Sequence, residues 1–246
     1  RASARATPLL LARVAPEAGA NSARIRTAID SLEAWDYTMR RDRVPPTIAR
    51  AWWNAFVRRT GLEGVPGLAY AVLAGEAALP PASGRPAESA DAASRASLET
   101  ALDTLAAKLG PELAGWRWGL AHRARFAHAL SRLSLADRAR FEPATIPMDG
   151  DGSTIAVGAT RAPWSFDVVH GPAFRHVVDL ADTSTSWTMV APWNSDAAAA
   201  SGADLREAWA DHRYVPLRLD WRAIEREAAW STTLRPAAIN AAGRGR

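Results

Sequence analysis

Hydrophobic periodicity changes once along this chain, and that change limits the fold more than any other feature. Up to about residue 140 the apolar residues recur at helical spacing. Ile25, Ile29 and Leu32 form one stripe, with Ser22 placed to cap it. Pro45 and Pro46 mark a helix start, Ile48, Trp52 and Phe56 follow at i, i+4 and i+8, and Gly61 stops the run. Leu98, Leu102, Leu105 and Leu109 make a third stripe, predicting a helix from about Ser89 to Leu109 that ends at Gly110-Pro111. Between them, Glu76 to Glu88 concentrates Pro, Gly and Ser and reads as a surface loop.

Beyond Phe141 the texture becomes short β-favouring runs between turn residues: Thr154 to Val157, Phe174 to Leu180, Trp187 to Ala191 and Ser231 to Leu234. Two short helices are predicted around Asp204 to Ala210 and Trp221 to Ala229, the second capped by Asp220. FRHVVDL and SWTMVAPW flank ADTSTS in the pattern of a β-hairpin. No internal repeat is visible. Helices followed by strands imply an α+β architecture, with a mainly helical region over 1–140 and a strand-rich region over 141–246 of the same domain.

Composition excludes several classes. Cysteine is absent, which removes disulfides, cysteine nucleophiles and thiolate metal sites. The net charge of +4 and pI near 10.2 invite a nucleic-acid reading, but Lys108 is the one lysine among 30 basic residues and acidic residues are interspersed throughout. That pattern fits a salt-bridged arginine surface better than a phosphate track, so no nucleic-acid partner is expected. No apolar run approaches a membrane span, and no complete signal peptide is visible. The chain opens on Arg1, from which we expect an upstream part that would carry any targeting signal.

Motifs of reaction chemistry are sparse. His122 and His128 lie six apart, too far round a helix to share a metal, and Gly171-Pro172 separates His170 from His176. MDGDGST, residues 148 to 154, resembles the start of a calcium loop, yet its twelfth position from Asp149 is Thr160 rather than Glu. A turn leading into the strand at Thr154 is the better reading. No G-x-S-x-G elbow or phosphate-binding glycine loop occurs. The 11 tryptophans are read as buried anchors, with Trp116 and Trp118 spaced to face opposite ways. Arg175 and Asp179, four apart on a predicted strand, are expected to serve as an ion pair or hydrogen-bond anchors.

Order and spacing carry a resemblance. LEAWDYTMRRDRVPPTIARAWWNAF, WRWGLAHRARFAHAL, DGDGSTIAVGA, GPAFRHVVDL through APWNSD, and DLREAWADHRYVPLRLDWRAIEREAAWSTTLRP together resemble the C-terminal part of the β-subunit of penicillin acylases. These are amide hydrolases of the N-terminal-nucleophile class. The resemblance implies an αββα sandwich and a precursor that cuts itself to expose an N-terminal serine. That serine attacks an acyl amide with its own α-amine as general base, which a reference pKa of about 7.7 to 8.0 permits near neutral pH. The resemblance further places the serine, the oxyanion asparagine and the calcium ligands upstream of the first matched block.

No catalytic residue is therefore carried over, and specifically not Asn54, Asn194 or Ser195. No cofactor or metal is expected in these residues, calcium being a matter for the full-length protein. The implied partners are the upstream remainder of the β-subunit, the α-subunit of the same precursor and a small N-acyl amide; the implied location is periplasmic or secreted. Trp193-Asn194-Ser195-Asp196 stands where such proteins usually carry a Gln-Ser-Gly turn, so the family's substrate preference is not carried over to this chain. The alternative is a non-catalytic, Trp-rich domain that binds a partner.

Overall fold

The computed structural model describes residues 2–14, 23–81, 88–127, 132–142, 144–161, 165–190 and 205–235. Helices come first: α1 (Ala2–Val14), α2 (Ala23–Glu33), α3 (Pro45–Thr60), α4 (Pro66–Ala74), α5 (Ala90–Leu109), α6 (Trp118–Ala121) and α7 (Leu135–Phe141). Two more, α8 (Arg206–Ala210) and α9 (Trp221–Glu227), lie among the late strands. The molecule is α+β.

The three sequence stripes become the core. Leu32, Ile48, Trp52, Phe56, Leu102 and Leu105 are wholly buried in one cluster, as α3 lies along α5. Gly61 ends α3 at φ 73°, a left-handed conformation that a side chain would resist, and its N–H returns to the helix carbonyls. Ser89 caps α5, its Oγ accepting from the Ala92 N–H at 3.1 Å. Ser22, read as the cap of α2, lies outside the described residues.

Four helices escaped the periodicity reading: α1, α4, α6 and α7. Pro8 sits inside α1, yet Leu10 and Val14 are buried against the other helices. Arg13 explains part of that fit. It donates to the Leu73 and Val72 carbonyls at 2.9 and 3.1 Å, satisfying the last turn of α4, and pairs with Asp91 at the start of α5. The apolar stretch PGLAYAVLA forms α4, with Pro at its start and Gly75 (φ 78°) after its end.

The strands are short. β1 (Arg123–Ala124), β2 (Ile146–Pro147), β3 (Ala159–Thr160) and β4 (Val168–His170) form one sheet in the order β2-β1-β4-β3, with β1 parallel to β4 and the other pairs antiparallel. β5 (Phe174–Val177), β6 (Trp187–Val190) and β7 (Val215–Pro216) form a wholly antiparallel sheet. The hairpin expected around ADTSTS is present, pairing Phe174 with Val190 and Val177 with Trp187.

Other expectations need correction. Thr154 to Val157 is not a strand: Thr154 turns back to bond the Ala156 carbonyl, and the strand begins at Ala159. Ser231 to Leu234 forms no strand. β5 ends at Val177, so Arg175 and Asp179 do not share a regular strand face. They do not pair with each other. Arg175 donates to the Trp209 carbonyl at 2.7 Å, while Asp179 accepts from the Ala181 N–H and the Thr185 hydroxyl. Each is a hydrogen-bond anchor with its own partner.

Tryptophan serves two roles. Trp35, Trp52, Trp116, Trp118 and Trp209 are buried, as anchors should be, but Trp187, Trp221 and Trp230 are exposed. Trp116 and Trp118 are both fully buried, and their indole N–H groups reach different partners, the carbonyls of Gly110 and Gly150. No helix among the described residues is long and apolar enough to cross a membrane.

Candidate functional site

The segment DGDGST lies where the helical layer meets the first sheet. Gly150 can adopt φ +84° because it lacks a Cβ; one built there would fall 1.7 Å from the Ala156 carbonyl oxygen. The turn is stitched to the helical layer by its backbone. Gly150 N–H donates to the Met39 carbonyl at 2.6 Å, the Gly150 carbonyl accepts from Trp118 Nε1 at 2.9 Å, and the Arg41 N–H donates to Asp149 Oδ1 at 2.6 Å.

At its centre is a buried ion pair. Asp151 is fully buried, and Arg50 of α3 donates from Nη2 to its Oδ2 at 2.6 Å with only 11% of the arginine side chain exposed. Asp151 Oδ1 accepts from both the N–H and the hydroxyl of Ser153, each at 2.7 Å. Burial by itself pushes the Asp151 carboxyl up, but the Arg50 guanidinium and the Ser153 bonds outweigh it and hold the group below the usual carboxylate range.

His122, the residue that ends α6, closes the site. Its ring stacks on Trp118 with centroids 4.4 Å apart, and Nδ1 lies 2.8 Å from the Phe166 carbonyl. A carbonyl only accepts, so Nδ1 carries the proton and Nε2 is left as a bare acceptor. Nε2 is buried without a partner and faces Gly158, where a Cβ would stand 2.6 Å away. Burial pushes the His122 pKa down to about 4, against a smaller opposing effect from the Phe166 bond. It is a neutral histidine at pH 7.

The hydroxyls of this turn are committed to structural hydrogen bonds. The Ser153 hydroxyl donates to Asp151 and the Thr154 hydroxyl to Ala156, so neither is presented to His122. Asp151 is bonded through both oxygens, to Arg50 and Ser153, and Asp149 through Oδ1 to the Arg41 N–H. Among the described residues no group of three or more acidic or histidine side chains is placed to hold a metal. DGDGST forms a turn, although the strand expected to follow it at Thr154 does not form.

The remaining residues weighed from sequence are scattered. His170 ends β4 and His176 lies in β5 of the other sheet, while His128, Asn194 and Ser195 fall outside the described residues. Asn54 is buried on α3 and lines an open groove beside α5. Sequence reasoning missed the Arg50–Asp151 pair, since the two residues are 101 apart in the chain and no motif links them. It considered His122 only as a metal ligand.

With that geometry in view, comparison with known proteins decides the affiliation. The sequence model of the penicillin amidase family matches residues 2–226. The chain belongs to that family. It is also similar to the penicillin acylase 2 proenzyme of Pseudomonas sp. (strain SE83), 32% identical over 126 residues. The match covers 51% of this chain and 16% of that relative, so the chain spans a small part of the penicillin acylase precursor it resembles.

Proposed function

We propose that these residues are the closing part of the β-subunit of a penicillin-acylase-like amidase, with the catalytic serine supplied by another part of the same polypeptide. The reaction is hydrolysis of an N-acyl amide, such as a β-lactam side chain or an acyl-homoserine lactone. In it the N-terminal serine takes the acyl group and water releases it, with the free α-amine accepting the hydroxyl proton. Residues 1–140 provide helical cover and 141–246 closing strands of one αββα domain, in a periplasmic or secreted enzyme whose other parts come from the same precursor.

One observation carries the reading. In the β5-β6-β7 sheet, Phe174 lies opposite Val190, and Val215, opposite Thr188, shares their face; all three are exposed, at 63%, 42% and 49%. An apolar sheet face of this kind is ordinarily packed against another layer. The buried Arg50–Asp151 clamp supports the same role, because it fixes the two regions against each other without offering chemistry. Exposed Trp221 and Trp230 favour the second reading, a partner-binding domain without catalysis.

Mapping the mature protein by mass spectrometry separates the two. The amidase reading predicts one polypeptide that contains residues 1–246 and begins, upstream of them, with a serine created by cleavage. A mature chain that starts with the initiator residue next to Arg1 would overturn it.

A further inference from the structure

Helix α8 ends at a position where glycine is the ordinary residue. The Arg213 N–H returns to the Ala208 carbonyl at 2.8 Å and closes the helix, and His212, between them, takes φ 55°. A side chain resists that left-handed conformation, and such a residue persists where its surroundings over-determine it. The His212 ring lies where three parts of the molecule meet. Its Nε2 stands 3.8 Å from Asp149 Oδ2 of the DGDGST turn, with 32% of the side chain exposed. Asp149 Oδ1 is taken by the Arg41 N–H, and the Arg41 guanidinium pairs with Asp211 beside the histidine. Arg213 approaches the other oxygen of Asp211 at 3.6 Å. From β5 comes Arg175, whose Nη1 donates to the Trp209 carbonyl while Nε and Nη2 are buried without a partner.

The balance of charge decides what this corner does with a proton. Three guanidinium groups, of Arg41, Arg175 and Arg213, already stand around two carboxylates, those of Asp149 and Asp211, and both carboxylates are bonded to Arg41. A protonated His212 adds one more cation at a mostly covered position. Asp149 and Asp211 favour that proton, but burial, then Arg175, oppose it more strongly and push the His212 pKa below its ordinary value. The packed ring therefore takes up a proton less readily than the same ring in solvent. By linkage, acid favours the arrangement in which His212 has left its seat, an effect that grows as pH falls below about 6.5 and levels off below the folded value.

We propose that His212 is the pH-sensitive catch of a latch: neutral, it seats residues 211–216 against the DGDGST turn, and protonated, it lets them go. That corner carries β7, the edge strand of the second sheet, so its release frees the sheet edge from the turn. α8 itself stays in place, because Trp209 is buried beside Gly171 and donates from Nε1 to the Pro172 carbonyl at 3.2 Å. The proposal does not rest on the amidase reading, since its test reads local opening rather than turnover.

The test is hydrogen exchange followed by mass spectrometry on the product of the whole reading frame that contains these residues. Exchange in peptides covering 211–216 is compared at pH 7.5 and pH 5 after correction for the intrinsic rate. An opened histidine with an ordinary pKa of about 6.5 sets a ceiling of about 30-fold on the change, and a rise of at least about threefold at pH 5 is expected. His212→Asn tolerates the left-handed backbone and does not titrate, so it should abolish the rise, whereas His122→Gln should leave it. If His212→Asn exposes the corner at both pH values, His212→Gly, which relieves the strained backbone, decides in the same way. No rise in the unaltered protein, an equal rise in the His212 variants, or loss of the rise in His122→Gln would overturn the proposal.

Discussion

Replacing Asp151 with Asn tests how the two regions are held together. The side chain keeps its shape and one carbonyl oxygen, which can still accept from Ser153. What it loses is the charge opposite Arg50, whose guanidinium is nearly buried and whose Nε already lacks a partner. Removing one member of a buried pair strands the other, and such losses run to about 3–5 kcal/mol. The retained Ser153 bonds and the slight exposure of Arg50 place the expected cost at the low end, about 3 kcal/mol. Against a total stability of about 5–15 kcal/mol this is a large fraction, readily measured as a lower urea midpoint.

A second substitution makes the reasoning specific. Arg50→Met removes the stranded cation, so the double variant Arg50→Met/Asp151→Asn should recover at least about 1 kcal/mol relative to Asp151→Asn alone. The pH dependence adds a check. Because the folded Asp151 carboxyl is held below its ordinary value, its contribution is present above about pH 4 and disappears as pH falls through the lower folded value. A cost under about 1 kcal/mol for Asp151→Asn at pH 7, or no recovery in the double variant, would refute the clamp.

Three further outcomes can be measured, two at this turn and one at the start of α5. His122 is neutral when folded with a pKa of about 4 but protonates near 6.5 when unfolded, so stability should fall by about 2 kcal/mol between pH 7 and pH 5, and His122→Gln should flatten that slope in urea titrations at the two pH values. Gly150→Ala should prevent or severely impair folding, as judged by near-ultraviolet circular dichroism, because the new Cβ meets the Ala156 carbonyl at 1.7 Å on a backbone already at φ +84°. Ser89→Ala should cost about 1 kcal/mol of thermal stability through loss of the α5 cap, a modest effect on a surface residue.

Much of the helical layer was legible because its information is local. The stripes of α3 and α5 and the stops at Gly61 and Gly110 depend on residues within a few turns of one another. α1 was hidden by Pro8, and its stability comes from distant contacts such as Arg13 with the carbonyls of α4. The hairpin of β5 and β6 could be read from alternation, whereas β1, β2, β3 and β7 have two residues each and exist only through their pairing. The site was the least legible part. Arg50 and Asp151 meet across 101 residues, His122 acquires its character from burial, and the groove between α3 and α5 exists because opposed small residues leave room.

The central claim is that residues 1–246 support an amidase whose nucleophile lies elsewhere in the polypeptide. Its most direct test is turnover of an N-acyl amide such as a phenylacetylated chromogenic amine, by the verified pure chain and by the product of the whole reading frame that contains it. The account predicts hydrolysis by the whole product and none by the chain alone. Sustained hydrolysis by residues 1–246 alone, abolished by substituting a serine or threonine within them, would contradict it.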